Sequence, residues 1–303
     1  MGTATMADID LKKIDLKKKL KKKGHSQEIW RRFKKNRTAM VGMFIFVFIL
    51  LVMIFADAIV SYDTAVTQKI SNRFIPPGSA GHLFGTDNFG RDILARIVHG
   101  SRNSLLMGIG AVVIGIVIGG LLGSIAGFYG GGIDSFIVRT MDTVMCIPLM
   151  LLVLSIVAAL GASLVNVLIA MMIANVPHYI RIVRAAVLSV AGQDYIEAAR
   201  ACGTPNFLII LKHVIPNAIG PIIVQATMAV GTMIIHAAGI SFLGMGIQPP
   251  TPEWGAMLNE AKNYMVDYPY TVIFPGLSIG LTALSLNLMG DGLRDALDPK
   301  LRD

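Results

Sequence analysis

The chain has 303 residues, of which 54% are hydrophobic and 15% are charged, with a formal net charge of +8. Globular domains carry about 25% charged residues, and the charges here form short blocks between long apolar runs. The composition therefore argues against a soluble globular protein and predicts an all-α polytopic membrane protein.

The segment 1–38 is a basic N-terminal tail with thirteen Lys or Arg against four acidic residues. A basic block can bind nucleic acid. Directly before an apolar span it more often fixes topology, because cytoplasmic flanks retain Lys and Arg. We therefore expect a cytoplasmic tail that lies against membrane lipid, no nucleic-acid partner and no cleavable signal peptide.

Six apolar segments have about the length of 20 residues that a helix needs to cross a bilayer core. They are predicted at 39–60, 104–128, 143–160, 163–180, 214–238 and 272–289. Six crossings place both termini on one side of the membrane. With both termini in the cytoplasm, 21 of the 27 Lys and Arg lie on the cytoplasmic side, as the positive-inside rule requires.

The second span carries a glycine every fourth residue at Gly115, Gly119, Gly123 and Gly127. Such a ridge lets another helix approach closely. The partner helix could belong to this chain or to another subunit, and the sequence leaves both possibilities open.

The extracytoplasmic segment 61–103 contains turn residues and then an amphipathic helix predicted at 92–99. Asp87 and Asp92 are the best-placed pair of carboxylates in the chain. Because Arg91 and Arg96 lie beside them, we expect salt bridges or turn caps here, not a catalytic pair.

A short polar segment, GQDYIEAARACGTPNFLIILKHVIPNA, separates the fourth and fifth spans. Asp194 is predicted to cap a helix that ends at Cys202, with Glu197 at the third helical position. Gly203 supplies the left-handed stop. Thr204 and Pro205 suit the cap and first residue of a second helix that reaches about Val214. This defined shape indicates a docking element, and a folded linker is the alternative.

The stretch EAARACGTPNFLIILKHVIP resembles the EAA loop of ABC importer permeases, although His213 and Ile215 depart from its usual I-x-L-P ending. Four further blocks resemble dipeptide and oligopeptide permeases of the C type. They are HLFGTDNFGRDILARIVHGSRNSL, GFYGGGIDSFIVRTMDTVMCIP, SFLGMGIQPPTPEWGAML and NLMGDGLRDALDPKL. Together the five blocks cover nearly everything after Gly81.

The resemblance implies a methionine-importer-like ABC permease fold in a prokaryotic inner membrane. It implies a permease core at 104–290 with a coupling loop at 192–213, followed by a cytoplasmic tail at 291–303. The implied partners are a second homologous permease, two ABC ATPase subunits and an extracytoplasmic peptide-binding protein. The segments 61–102 and 241–270 either dock the binding protein or form a lid that packs on the partner permease. This chain would bind no cofactor, since ATP and Mg would sit on the ATPases.

The resemblance also assigns roles to residues. The positions implied to couple to an ATPase are Asp194, Tyr195, Glu197, Ala198, Ala199, Arg200, Gly203 and Pro205. Polar residues within spans are costly and often functional, so some are expected to line the translocation path. These are Asn166, Asn175, Gln225, Thr232, His236, Ser278, Thr282 and Asn287. Interhelical hydrogen bonding is the alternative for each of them.

No motif for catalysis is found. The chain lacks a phosphate-binding loop, a nucleophile elbow and an H-E-x-x-H pair, and its His residues have no metal-ligand spacing. Cys146 and Cys202 are expected to be small buried residues. A proton-coupled transporter is disfavoured, because the deep segments hold almost no carboxylate. The same architecture could also import nickel chelates or glutathione-like peptides.

Overall fold

The computed structural model describes residues 25–297, and these form helices without a β-strand. The α-helices are α1 His25–Lys35, α2 Arg37–Ile54, α3 Ala56–Ile59, α4 Tyr62–Val66, α5 Ile93–Tyr129, α6 Gly131–Met145, α7 Leu149–Leu160, α8 Leu164–Ala191, α9 Asp194–Ala201, α10 Asn206–Ile209, α11 Ile215–Phe242, α12 Trp254–Ala261 and α13 Tyr270–Leu297. The basic run of the N-terminal tail before residue 25 and the last six residues lie outside the described part.

Five helical stretches are long and apolar enough to cross a membrane: α2, α5, α8, α13 and the stretch that joins α10 to α11. The pair α6 and α7 passes the same test only together, and its two helices meet at an angle of 82°. The prediction of an all-α polytopic fold with about six spans is confirmed.

The third span is not the straight helix predicted at 143–160. The chain leaves the helix at Cys146 and resumes it at Leu149, because Pro148 disfavours a helical conformation at the residue before it. The 12 residues of α7 reach only about 18 Å, short of a bilayer core of about 30 Å. The residues at the bend, Cys146, Ile147 and Pro148, are exposed on the bundle.

The second span begins earlier than predicted, at Ile93, and runs for 37 residues. The amphipathic helix expected at 92–99 is therefore the N-terminal end of this span and not a separate element. Asp92 caps this helix by accepting a hydrogen bond from the Ala95 amide at 2.8 Å, so the expected cap at Asp92 is confirmed.

The fifth span begins at Asn206, because α10 continues into α11 through a π-helical turn at Ile210–Val214. In this turn the Ile215 amide donates to the Ile210 carbonyl, five residues back. Pro216 follows directly. Since proline lacks an amide donor and its ring clashes with the carbonyl four residues back, we attribute the widened turn to it.

The glycine ridge of α5 packs against α8 of the same chain. A Cβ added at Gly119 would lie 2.6 Å from the Tyr179 Cβ, and one added at Gly123 would lie 2.7 Å from the Ile180 carbonyl oxygen. The ridge is thus an intrachain contact, which decides between the two possibilities left open by the sequence.

Two adjacent glycines of α5 test this contact. Gly119→Leu is expected to destabilise the protein by about 1–3 kcal/mol through overpacking. Gly120→Leu is expected to be tolerated, because a Cβ at Gly120 meets no atom within 4 Å. Thermal unfolding of the two purified variants measures the difference, and equal midpoints would contradict the close packing of α5 on α8.

The two ends of the described chain lie together. Phe33 and Ala39 near the N-terminus pack with Ala296 near the C-terminus, and the Asn36 side-chain amide donates to Asp295 at 3.1 Å. Both ends are therefore at the same face of the bundle.

Candidate functional site

The loop between α8 and α11 is built around one buried anchor in α9. Ile196 is fully buried in an apolar cluster with Phe128 of α5, Val183 and Val187 of α8 and Val214 of the π-helical turn. Because this cluster draws on three elements, α9 is seated on the end of the bundle instead of hanging from flexible chain ends.

The N-terminal cap of α9 differs from the prediction. Gln193 and not Asp194 is the cap residue, and no side chain bonds to the free amides there. The capping box between Asp194 and Glu197 is therefore absent. Both carboxylates still lie in the first turn, where the positive end of the helix dipole favours them.

The C-terminal end of α9 confirms the predicted stop at Gly203, which has a φ of +76°. The Gly203 amide donates to the Arg200 carbonyl at 2.9 Å, and the Thr204 amide donates to the Ala199 carbonyl at 3.1 Å. This pair of bonds is a Schellman motif, which favours glycine at the left-handed position. The next helix starts one residue later than predicted, with Pro205 as its cap.

The face of α9 that points away from the apolar cluster is exposed. Tyr195, Glu197 and Ala198 are exposed, whereas Ala199 is half-buried against the apolar cluster. Arg200 lies over the Phe128 ring at 4.7 Å, so its charge is used in an internal cation–π contact. With Asp194 also exposed in the first turn, this face offers two carboxylates and one aromatic ring to a partner.

The exposed surface continues beyond the turn. The side chains of Phe207 and Leu211, at the start of the fifth span, are 69% and 51% exposed, as are many other large apolar side chains of the spans. Cys202 is also exposed, as is Cys146 at the bend between α6 and α7. The expectation that both cysteines are buried was wrong, because each lies at a helix end and not in a helix interior.

A cavity of about 470 Å³ lies between the bend after α6, the middle of α8 and one face of α11. Its described lining contains no Asp, Glu, Lys or Arg. The size is within the range of about 300–1,000 Å³ typical of small-molecule sites.

Four of the eight predicted path residues line this cavity: Asn175, Gln225, Thr232 and His236. The other four lie outside it. The Asn166 amide bonds to carbonyls at the turn between α7 and α8, and Ser278 and Thr282 bond to carbonyls of α13. Asn287 is likewise on α13. The sequence did not single out Tyr179 and His178, which also line the cavity.

The opposite face of the bundle, at the start of α5, is held by a buried cluster of two arginines and two carboxylates. Arg91 and Arg96 both bond to Asp87, at 2.7 and 2.6 Å, and both bond to Glu260 at 2.6 Å. The expected salt bridges at Asp87 are therefore confirmed. Glu260 was missed, because it lies 169 residues from Arg91 and no local pattern connects them.

A second buried carboxylate, Glu253, joins α5 to α12. It accepts hydrogen bonds from the Ser104 hydroxyl at 2.9 Å and from the Gly255 and Ala256 amides at 2.8 and 2.7 Å. Complete burial raises the pKa of the Glu253 carboxyl, and the hydrogen bonds oppose that rise. The outer loops are thereby fixed to the second span.

Comparison with known proteins identifies the architecture. The chain has 18% sequence identity to a solved structure described as inward-facing conformations of the MetNI methionine ABC transporter, with a TM-score of 0.57. The match covers 68% of this chain and 98% of that chain. The predicted methionine-importer-like fold is confirmed.

Proteins with similar sequences identify the family to which the chain belongs. The chain is 49% identical to the dipeptide transport system permease protein DppC of Alkalihalophilus pseudofirmus, over 91% of this chain and 90% of that protein. It is 46% identical to the glutathione transport system permease protein GsiD of Escherichia coli, over the same shares. Residues 26–77 match the N-terminal TM domain of oligopeptide transport permease C. Residues 115–303 match the family described as binding-protein-dependent transport system inner membrane component, and the chain belongs to this family.

Proposed function

We propose that this chain is a non-catalytic transmembrane subunit of an ATP-driven importer for dipeptides or oligopeptides. The observation that carries the proposal is α9, a short helix anchored by Ile196 and ended by a Schellman turn. A helix held in this way can transmit a displacement to α5 and α8. The similarity to dipeptide and glutathione permeases supports peptides as the substrate class.

The proposed orientation places α9 in the cytoplasm. The two described chain ends lie at one face, and the positive-inside rule assigns that face to the cytoplasm because of the basic N-terminal tail. With six crossings, the loop after α8 is on the same side as both termini, in a prokaryotic inner membrane.

In the cytoplasm, α9 would lie in a cleft of an ATPase subunit. Tyr195, Glu197 and Ala198 would form its contact face, and Phe207 and Leu211 would extend this face with apolar area. Closure of two ATPase subunits on ATP and Mg would move the clefts. The spans would then shift between inward-facing and outward-facing states, because each state binds the ATPases differently.

A second homologous permease would complete the path, and a peptide-binding protein would deliver substrate to the outer face. Rigid outer loops favour this role, since the buried ion cluster and Glu253 fix them to α5. Glutathione is a second candidate substrate, because a glutathione permease is nearly as similar to this chain as a dipeptide permease.

A reconstituted transporter tests the proposal. The chain is purified with the second permease, both ATPases and the binding protein, and placed in proteoliposomes. Uptake of a labelled dipeptide is expected to require ATP hydrolysis. In a Cys146→Ser background, a thiol-directed cross-linker is expected to join Cys202 to an ATPase subunit, because Cys202 is exposed at the end of α9.

Two results would contradict the proposal. Uptake driven by a proton gradient without ATP would show a secondary transporter. Labelling of Cys202 from outside sealed, right-side-out vesicles would place α9 on the wrong side of the membrane.

A further inference from the structure

The helix α1 is a folded part of the bundle, held in one orientation against α13. Phe33 is 3% exposed, and a Cβ added at Gly292 would lie 3.2 Å from the Phe33 ring, so this glycine leaves the space that Phe33 fills. The Asn36 side chain accepts a hydrogen bond from the Ala39 amide and donates one to Asp295, both at 3.1 Å. Because of these contacts, α1 presents one defined side to its surroundings.

The exposed side of α1 is cationic. Lys34 and Lys35 are exposed, as is Arg37 at the start of α2. Among the described residues, none of these three side chains forms an ion pair. Glu28, the acidic residue of α1, pairs instead with Arg31 at 2.7 Å. The helix therefore carries positive charge that the described part of the chain does not neutralise.

This charge lies at the boundary of the bilayer. No charged residue follows Arg37 in α2, and the 18 residues of α2 reach about 27 Å, close to the hydrocarbon thickness of about 30 Å. The start of α2 must therefore lie at a membrane surface, with α1 directly before it. Trp30 of α1 is 46% exposed, and Lys34 Nζ lies 5.0 Å from the centre of its ring. Tryptophan is enriched at the level of the lipid headgroups, because its ring is amphipathic.

We infer that the exposed side of α1 binds the phosphate groups of anionic phospholipids in the cytoplasmic leaflet, with Trp30 at the level of the headgroups. The 24 residues before α1 carry eight lysines against three acidic residues, so the sequence continues the same sign of charge. Bound lipid would hold the ends of α2 and α13 at the membrane surface. The choice of leaflet follows from the proposed orientation, whereas the binding itself does not depend on transport.

Quenching of Trp30 fluorescence tests the inference. The full chain is placed in phosphatidylcholine bilayers that contain increasing amounts of a lipid with a nitroxide on the acyl chain close to the headgroup. The labelled lipid is either phosphatidylglycerol or phosphatidylcholine, and the one that binds beside Trp30 quenches at a lower concentration. The other tryptophan, Trp254, is 2% exposed, and its emission is measured in a Trp30→Phe variant and subtracted.

The wild-type chain is expected to need about 5-fold less labelled phosphatidylglycerol than labelled phosphatidylcholine for half of the quenching, the effect of about one cation near an anionic surface. The double variant Lys35→Gln, Arg37→Gln is expected to lose this preference, and neither substitution alters the contact between Lys34 and Trp30. Glu28→Gln is expected to raise the preference about 2- to 5-fold, because it releases the Arg31 guanidinium from its ion pair.

The double variant Lys69→Gln, Arg73→Gln is the matched control. It removes the same two charges from exposed positions between α4 and α5, and it is expected to keep the wild-type preference. Equal losses in the two double variants would overturn the inference, because net charge and not the side of α1 would then decide the preference.

Equal quenching of the wild-type chain by the two labelled lipids would also overturn it, and would leave the cationic side of α1 to a soluble anionic partner such as nucleic acid. If the Lys35→Gln, Arg37→Gln variant does not fold, Glu28→Gln decides the matter, since an unchanged preference would contradict the inference. A chain that prefers phosphatidylglycerol but shows no ATP-driven uptake in the complete transporter would overturn the proposed function alone.

Discussion

Gly203→Val is expected to lower ATP-driven uptake about 5- to 30-fold without reducing membrane insertion. Gly203 has a φ of +76° and closes the Schellman turn after α9. An L-residue in the left-handed conformation costs about 1–2 kcal/mol, and a β-branched residue is especially unfavourable there. A loss of that size changes the population of the correctly turned loop by a factor of about 5 to 30.

Gly192→Val is the matched control at the other end of α9. An added Cβ meets no atom within 4 Å at either glycine, so crowding is excluded for both. The two positions differ in backbone conformation, because Gly192 has a φ of −90° that any residue adopts. We expect Gly192→Val to retain uptake and Gly203→Asn to recover most of it, since Asn tolerates the left-handed region.

Uptake and ATPase activity are measured on the same reconstituted preparations, with the amount of assembled complex determined by size-exclusion chromatography. Equal losses in Gly192→Val and Gly203→Val would show that the left-handed turn is not what matters. Normal transport in Gly203→Val, with intact assembly, would remove α9 from the coupling mechanism.

The sequence predicted those features of the site that depend on local chain chemistry. The stop at Gly203 followed from a glycine before Thr204 and Pro205, and salt bridges or turn caps at Asp87 and Asp92 were expected because Arg91 and Arg96 lie beside them. The burial of Ile196 in an apolar cluster could not be predicted, because the cluster includes Phe128 and Val183 from two helices that are distant in sequence.

The third span shows a related limit of prediction from the sequence. The apolar length of 143–160 is compatible with one straight helix, and hydropathy does not record a change of direction. Pro148 was the available signal, since the residue before a proline avoids the helical conformation. The same bend creates part of the cavity wall, which explains why the cavity and Tyr179 were missed.

Glu260→Leu is expected to destabilise the outer half of the protein by about 3–5 kcal/mol, the usual effect of removing one partner from a buried ion pair. Arg91 is fully buried, and Arg96 is 1% exposed. Arg91 Nη1 and Arg96 Nε already lack hydrogen-bond partners in the described structure. Without Glu260, two buried guanidinium groups would share Asp87 as their remaining carboxylate.

Asp57→Leu is the matched control, because it breaks an exposed pair with Arg102 in the same outer region and such pairs contribute little. Denaturant unfolding of the purified protein measures both variants. The double variant Glu260→Leu, Arg96→Leu restores equal numbers of charges in the cluster, so its loss of stability is expected to be smaller than the sum of the two single losses. Additive losses, or a Glu260→Leu variant as stable as Asp57→Leu, would mean that the cluster does not hold α12 to the start of α5. The rigid outer face proposed for docking of the binding protein would then lack its physical basis.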